Sequence, residues 1–242
     1  LRRYGLESKL ETFLTKSNLP YATSPADKAI VTETHSGYLG IYNGAKSYPL
    51  EVKGIVESAD VVLDLGGISF EELNTATWTS NLSRDGMISS RGEWVQRGDE
   101  VWLGTAIEDV LEGLIQKVSA FPSKIAIPAY PGSQVTGAAN DPTSSATFYP
   151  RLERFIKPND IFVSETGTCM MHLGNMKLPK GALFELQILW GSIGWATPAT
   201  LGVAMANTQG RTIMVTGDGS HQLTLNEIGV MGRYGIKPII FV

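Results

Sequence analysis

The stretch that most constrains this chain is Thr212-Ile-Met-Val-Thr-Gly217-Asp218-Gly219-Ser220-His221-Gln222-Leu223-Thr224-Leu225-Asn226-Glu227. A β-branched apolar run ends in two glycines around a carboxylate, then a hydroxyl, then polar and apolar residues at helical spacing. That order reads strand, tight turn, helix. In an α/β pattern such a bend lies at the carboxyl end of a strand, where ligand crevices form. It also opens a helix, whose unpaired N–H groups and positive dipole end attract anions. A phosphate is the natural ligand of such a turn, and Asp218 is placed to hold a divalent cation against it. By itself, Gly217-Asp218-Gly219-Ser220 is also what an ordinary turn after a strand looks like.

The rest of the chain supplies the context for that turn. Leu6, Leu10, Phe13 and Leu14 recur at helical spacing, and Asn18-Leu19-Pro20 stops the helix they predict. Tyr21–Thr23 is a short strand candidate, and the Gly-, Asn- and Tyr-rich segment from His35 to Ala45 reads as a loop. A helix over Leu50–Ala59 precedes Asp60-Val-Val-Leu-Asp-Leu-Gly-Gly67, an apolar run that reads as a buried parallel strand. Met87–Ser89 and Glu100–Leu103 are further strands, and a helix over Ala106–Val118 carries Val110, Leu111, Leu114, Ile115 and Val118 on one stripe. Pro122, Pro128, Pro131 and Pro142 then mark residues 121–146 as a linker. A second alternating set follows: a helix over Thr147–Phe155, a strand over Ile161–Ser164, an apolar stretch over Leu183–Leu186, and a small-residue helix over Ala196–Asn207 placed in the interior. The pattern is α/β throughout, two consecutive domains with mainly parallel sheets flanked by helices.

Composition narrows the function. With 43% hydrophobic and 18% charged residues the chain is globular, and a formal charge of −4 with no basic patch argues against nucleic acid as a partner. No apolar run reaches the ~18 residues of a membrane span, and no apolar stretch of signal-peptide type follows Leu1-Arg2-Arg3-Tyr4. The single cysteine, Cys169, fits a reducing compartment, so the expected location is cytoplasmic. The missing initiator methionine and an ending within Ile239-Ile240-Phe241-Val242 read as a chain truncated at both ends.

Three strand-end loops of the second set can converge on one ligand: Glu165-Thr166-Gly167-Thr168, Gly191-Ser192-Ile193-Gly194 and Gly217-Asp218-Gly219-Ser220. Together with Phe155-Ile-Lys-Pro-Asn-Asp160, Leu178-Pro-Lys-Gly181, Leu189-Trp-Gly-Ser-Ile-Gly194 and His35-Ser-Gly-Tyr-Leu-Gly-Ile-Tyr-Asn-Gly44, they make the sequence resemble the thiamine-diphosphate-dependent 2-keto acid decarboxylases. The resemblance implies a middle domain over residues 1–120 and the first part of the diphosphate-binding domain over 147–242. It implies thiamine diphosphate and Mg2+ as cofactors, with Asp218 a metal ligand and Thr168, Gly219 and Ser220 beside the phosphates. Gly191, Ser192 and Ile193 would clamp the aminopyrimidine, Ile193 as the wedge that keeps the cofactor bent, and Thr166 would line the same pocket. No complete catalytic set lies in this stretch: the Asn pair that completes the metal motif would follow Val242.

The resemblance further implies a small 2-keto acid substrate and a homodimer or homotetramer with the site between subunits. Pyruvate, giving acetaldehyde and CO2, is the first reading. An aromatic keto acid, an acetolactate-synthase-type carboligase and a non-catalytic assembly module are the alternatives. Leu65-Gly66-Gly67-Ile68 lacks the spacing of a dinucleotide fingerprint, which speaks against a flavin. His35, His172 and His221 read as structural, Cys169 as packing, and Trp190, Trp195 and Met231 as core.

Overall fold

The computed structural model describes the chain apart from residues 68–73, 75, 139 and 208 and the side chain of Thr77. Ile68, the last residue of the Leu65-Gly66-Gly67-Ile68 segment, and one position of the linker, Ala139, therefore lie outside the described residues. The chain divides into two compact units, one formed by Leu1–Val31 and His35–Tyr130, the other by Thr32–Thr34 and Pro131–Val242.

In the first unit, helix α1 (Glu7–Ser17) buries Leu10, Phe13 and Leu14 and ends at Asn18, which adopts the left-handed conformation that terminates helices. Strands β1 (Tyr21–Thr23) and β2 (Tyr38–Ile41) pair in parallel. The loop expected over His35–Ala45 thus contains a strand, all four residues of which are buried. Its glycine misled the reading, since a side chain at Gly40 would collide with the Tyr48 carbonyl oxygen. Glycine in a strand often marks such a close backbone approach.

After α2 (Glu51–Glu57), strands β3 (Val62–Leu65), β4 (Met87–Arg91), β5 (Trp94–Arg97) and β6 (Glu100–Leu103) form a sheet in that order, β3 parallel to β4 and the rest antiparallel. Strand β3 is therefore a half-buried edge strand rather than an enclosed one. The core sets Leu6, Leu10, Phe13 and Leu14 against Ile107 and Leu111 of α3 (Ile107–Lys117), with Leu63 and Leu65 packed on them.

Asp27 in this unit yields a test of burial. Its carboxyl pKa is raised, chiefly by desolvation, against the opposing hydrogen bond from the Ser24 hydroxyl at 2.7 Å. The native state therefore keeps this proton to higher pH than the unfolded chain. Stability falls as pH rises from the unfolded value of ~3.9 through the folded one, and the loss persists at neutral pH. Asp27→Asn is expected to raise the melting temperature at pH 7 and to flatten its fall as pH rises above ~3.9. An unchanged profile in a thermal melt series would exclude this.

In the second unit α4 (Ser145–Phe155) opens with a capping box between Ser144 and Thr147. Then come β7 (Ile161–Ser164), α5 (Thr168–Gly174), β8 (Leu183–Leu186), α6 (Ala196–Ala206), β9 (Thr212–Val215), α7 (Asp218–Gln222), α8 (Asn226–Tyr234) and β10 (Ile239–Phe241). The sheet order is β10-β9-β7-β8 and every pair is parallel. Val163, Ala196 and Met214 form a core joining β7, α6 and β9. Helix α6 is not interior as expected. It buries Ala196, Thr197 and Thr200 on the sheet but leaves Gly202, Met205 and Ala206 in solvent, so small residues line its exposed face as well. Among the described residues no helix is long and apolar enough to cross a membrane.

Candidate cofactor site

The chain runs from β7 outward to β8, then crosses back to place β9 on the other side of β7. The strand order reverses between β7 and β9, and in parallel α/β sheets the crevice outside the carboxyl ends at that reversal is where ligands bind. Glu165-Thr166-Gly167 leaves β7 there, and Thr216-Gly217-Asp218 leaves β9. The Gln187–Trp195 loop leaves the same edge from β8.

The loops after β7 and β8 owe their shape to glycine, whereas Gly217 after β9 is extended, with φ −88 and ψ 152. Gly167 caps α5 with φ 142 and ψ −159, and Gly191 and Gly194 have φ of 58 and 88, conformations that side chains disfavour. Gly194 is also tightly enclosed, since a Cβ there would stand 3.0 Å from Leu223 Cβ.

Hydrogen bonds tie the loops together. Glu165 is fully buried; its Oε1 accepts from the Thr166 N–H at 3.0 Å, and its Oε2 accepts from the N–H groups of Gly194 at 3.1 Å and Ala196 at 3.2 Å. The Thr166 hydroxyl donates to the Gln187 carbonyl at 2.7 Å, and the Thr224 hydroxyl donates to the Gly194 carbonyl at 2.8 Å. His221 Nδ1 and Thr197 Oγ1 lie 2.9 Å apart, which gives this histidine a structural task. The Cys169 thiol donates to the Glu165 carbonyl at 3.1 Å, and burial pushes its pKa up, so it remains a packing thiol. His172 stacks on Tyr149 at 4.2 Å.

The residues named from the sequence fall on these three loops or the helix turns they lead into. Asp218 and Gly219 are exposed and Ser220 is half-buried. The residue capping α7 is Gly217, and Ser220 is the third residue of that short helix. Thr168 is exposed as the first residue of α5, and Thr166 is half-buried with its hydroxyl engaged between loops. Gly191 is half-buried and Ser192 exposed, while Ile193 is 54% exposed and is no core residue. Trp190, read as core, is 86% exposed, because the β8 loop projects it from the sheet edge. Among the described residues no group of three or more His, Cys, Asp and Glu side chains could enclose a metal. The residue that sequence reasoning passed over is Glu165. Its signal was an acid directly following the buried strand, where a solvated residue would be ordinary.

Residues 165–242 match the family model described as thiamine pyrophosphate enzyme, C-terminal TPP binding domain. The chain is thus, over nearly its whole length, like a thiamine-diphosphate-dependent 2-keto acid decarboxylase. Pyruvate decarboxylase isozyme 3 of Saccharomyces cerevisiae is 30% identical over 99% of this chain and 44% of its own length. Pyruvate decarboxylase of Aspergillus fumigatus is 34% identical over 99% of this chain and 43% of its own. The chain therefore spans less than half the length of these relatives. An X-ray structure from Mycobacterium smegmatis, whose description places it among thiamin diphosphate-dependent enzymes, matches 98% of the chain and 47% of its own, with a TM-score of 0.73 at 18% identity, a likeness of fold.

Proposed function

We propose that the chain contributes the middle domain (1–120), a linker (121–146) and the first part of the diphosphate-binding domain (147–242) of a non-oxidative 2-keto acid decarboxylase that uses thiamine diphosphate and Mg2+. Pyruvate is the proposed substrate, and acetaldehyde and CO2 the products. The observation that carries this reading is the convergence of three glycine-containing strand-end loops at the reversal of strand order, with the β7 and β8 loops hydrogen-bonded to each other and the β8 loop bonded to Thr224 just beyond α7. Identity of about 30% to pyruvate decarboxylases over nearly the whole chain supports the reaction class.

The donor chemistry fits both groups. Mg2+ keeps several waters and binds through one or two carboxylates plus phosphate oxygens rather than in an all-protein cage. Asp218, exposed at the start of α7, supplies one such carboxylate. The Thr168 and Ser220 hydroxyls and the Gly219 backbone are assigned to the diphosphate. Gly191 and Ser192 are assigned to the aminopyrimidine edge, with Ile193 as the apolar wedge. Thr166 is assigned to the pocket wall and, through its bond to Gln187, to holding the two loops in register. Thiamine diphosphate, when bound, supplies the carbanion stabilisation that decarboxylation of a 2-keto acid requires. Trp190, Ile193, Leu223 and Leu225, exposed on and beside these loops, support a second chain covering the site in a cytoplasmic homodimer or homotetramer.

Calorimetric titration of the full-length protein with thiamine diphosphate, with and without Mg2+, tests the assignment, alongside acetaldehyde release from pyruvate. Binding that strengthens with Mg2+ and turnover of pyruvate are expected. Absence of cofactor binding would overturn the proposal, and turnover confined to indolepyruvate or phenylpyruvate would move the substrate to the aromatic class.

A further inference from the structure

We infer that Glu165 is a positioning residue, whose buried carboxylate sets the Gly191–Gly194 turn in its binding shape before any ligand arrives. The inference rests on the cofactor assignment above for its functional meaning, and on geometry alone for the positioning.

Burying a carboxylate is costly unless hydrogen bonds replace its water. Glu165 is 0% exposed, and its side-chain hydrogen-bond partners among the described residues are the three backbone N–H groups of Thr166, Gly194 and Ala196. Two of the three come from the β8 loop where it enters α6, and Ala196 is the first residue of that eleven-residue helix, at its positive dipole end. Gly194 is the node of the arrangement. Its N–H goes to Glu165 and its carbonyl accepts from Thr224, so the turn after β7, the loop after β8 and the segment beyond α7 are joined through one residue.

An ionised carboxylate is suited to this because it only accepts. Glutamine at the same position has one accepting and one donating end, and the donating end would face backbone N–H groups. A turn fixed in advance also saves the ordering cost that a mobile loop imposes on binding. Glu165 thereby acts on the cofactor through Gly191 and Ile193 without touching it.

The test is hydrogen–deuterium exchange on the cofactor-free full-length protein, comparing wild type with Glu165→Gln and Glu165→Asp. Loss of a hydrogen bond to a charged group is expected to speed exchange in peptides spanning residues 187–197 by about tenfold or more. Peptides covering β9 are expected to keep their protection, and thiamine diphosphate affinity to fall roughly tenfold in parallel. Should Glu165→Gln fail to fold, Glu165→Asp, which keeps the charge but shortens the reach, carries the same comparison. Unchanged exchange over 187–197 would overturn the inference, and so would a rise spread equally over the sheet, which would make Glu165 merely structural. Wild-type binding of thiamine diphosphate reports separately on the cofactor assignment, because the exchange comparison needs no cofactor.

Discussion

Asp218→Ala in the full-length protein is expected to weaken thiamine diphosphate binding in the presence of Mg2+ by roughly 100-fold, equivalent to ~2.8 kcal/mol. Loss of a group that merely supports a metal ligand already costs ~10–100-fold in affinity, so removing the ligand itself sits at or beyond that upper end. The dependence on Mg2+ is the sharper signature. Wild-type affinity is expected to rise with Mg2+ concentration, and the variant's to stay flat. Asp218 is exposed at the first position of a five-residue helix, so its truncation opens no cavity and the melting temperature of the cofactor-free protein is expected to hold. Calorimetry at several Mg2+ concentrations decides the matter: a variant that still gains affinity with Mg2+ would remove Asp218 from the metal site.

The strand, turn and helix that carry Asp218 were legible in the sequence because they follow local rules. A β-branched strand, a glycine turn and a helix leave few other readings, and Ile213, Met214 and Val215 are indeed buried in a parallel strand. The stripe of α1 and the αL stop at Asn18 were legible for the same reason. What escaped depended on partners distant in sequence. Strand β2 is held by β1 and by the Tyr48 backbone, so its glycine reads locally as a loop signal. Strand β5 lies between two-residue turns that place Gly92 and Gly98 at φ of 51 and 56. Such first-position glycines mark hairpins, but Trp94-Val-Gln-Arg97 between them is too short and mixed to show an alternation. Glu165 escaped because its acceptors meet N–H groups 29 and 31 residues away, which no spacing rule announces. Trp190 escaped because hydrophobicity alone does not say whether a loop turns its tryptophan inward.

At the other end of the sheet, Arg211→Met is expected to destabilise the second unit by about 3–5 kcal/mol, the cost of orphaning one member of a buried ion pair. Asp160 is 2% exposed and precedes β7, while Arg211 precedes β9. The guanidinium Nε donates to Asp160 Oδ1 at 2.9 Å and a terminal nitrogen donates to Oδ2, so the pairing is bidentate. The guanidinium also lies 4.6 Å over the Phe155 ring and donates to the Phe155 carbonyl at 2.9 Å. Its hydrogen bond to Asp160 raises its pKa further, so the arginine stays charged across the working range. In the variant, Asp160 keeps the N–H of Lys157 at 2.7 Å but loses its only described cationic partner. The asymmetry of exposure settles which partner's loss hurts more: Arg211 is 29% exposed at its side chain and could return to water, whereas Asp160 at 3% could not. A lowered urea midpoint with an unchanged slope is the expected reading in tryptophan fluorescence. Adding Asp160→Asn removes the orphaned charge, so the double variant is expected to regain part of the loss, with a coupling of about 1–3 kcal/mol. Because the pair sits at the amino ends of β7 and β9, cofactor affinity per folded molecule is expected to remain at the wild-type value. Strictly additive single-variant losses would show that Asp160 and Arg211 act independently, and would leave the lock between β7 and β9 to backbone pairing alone.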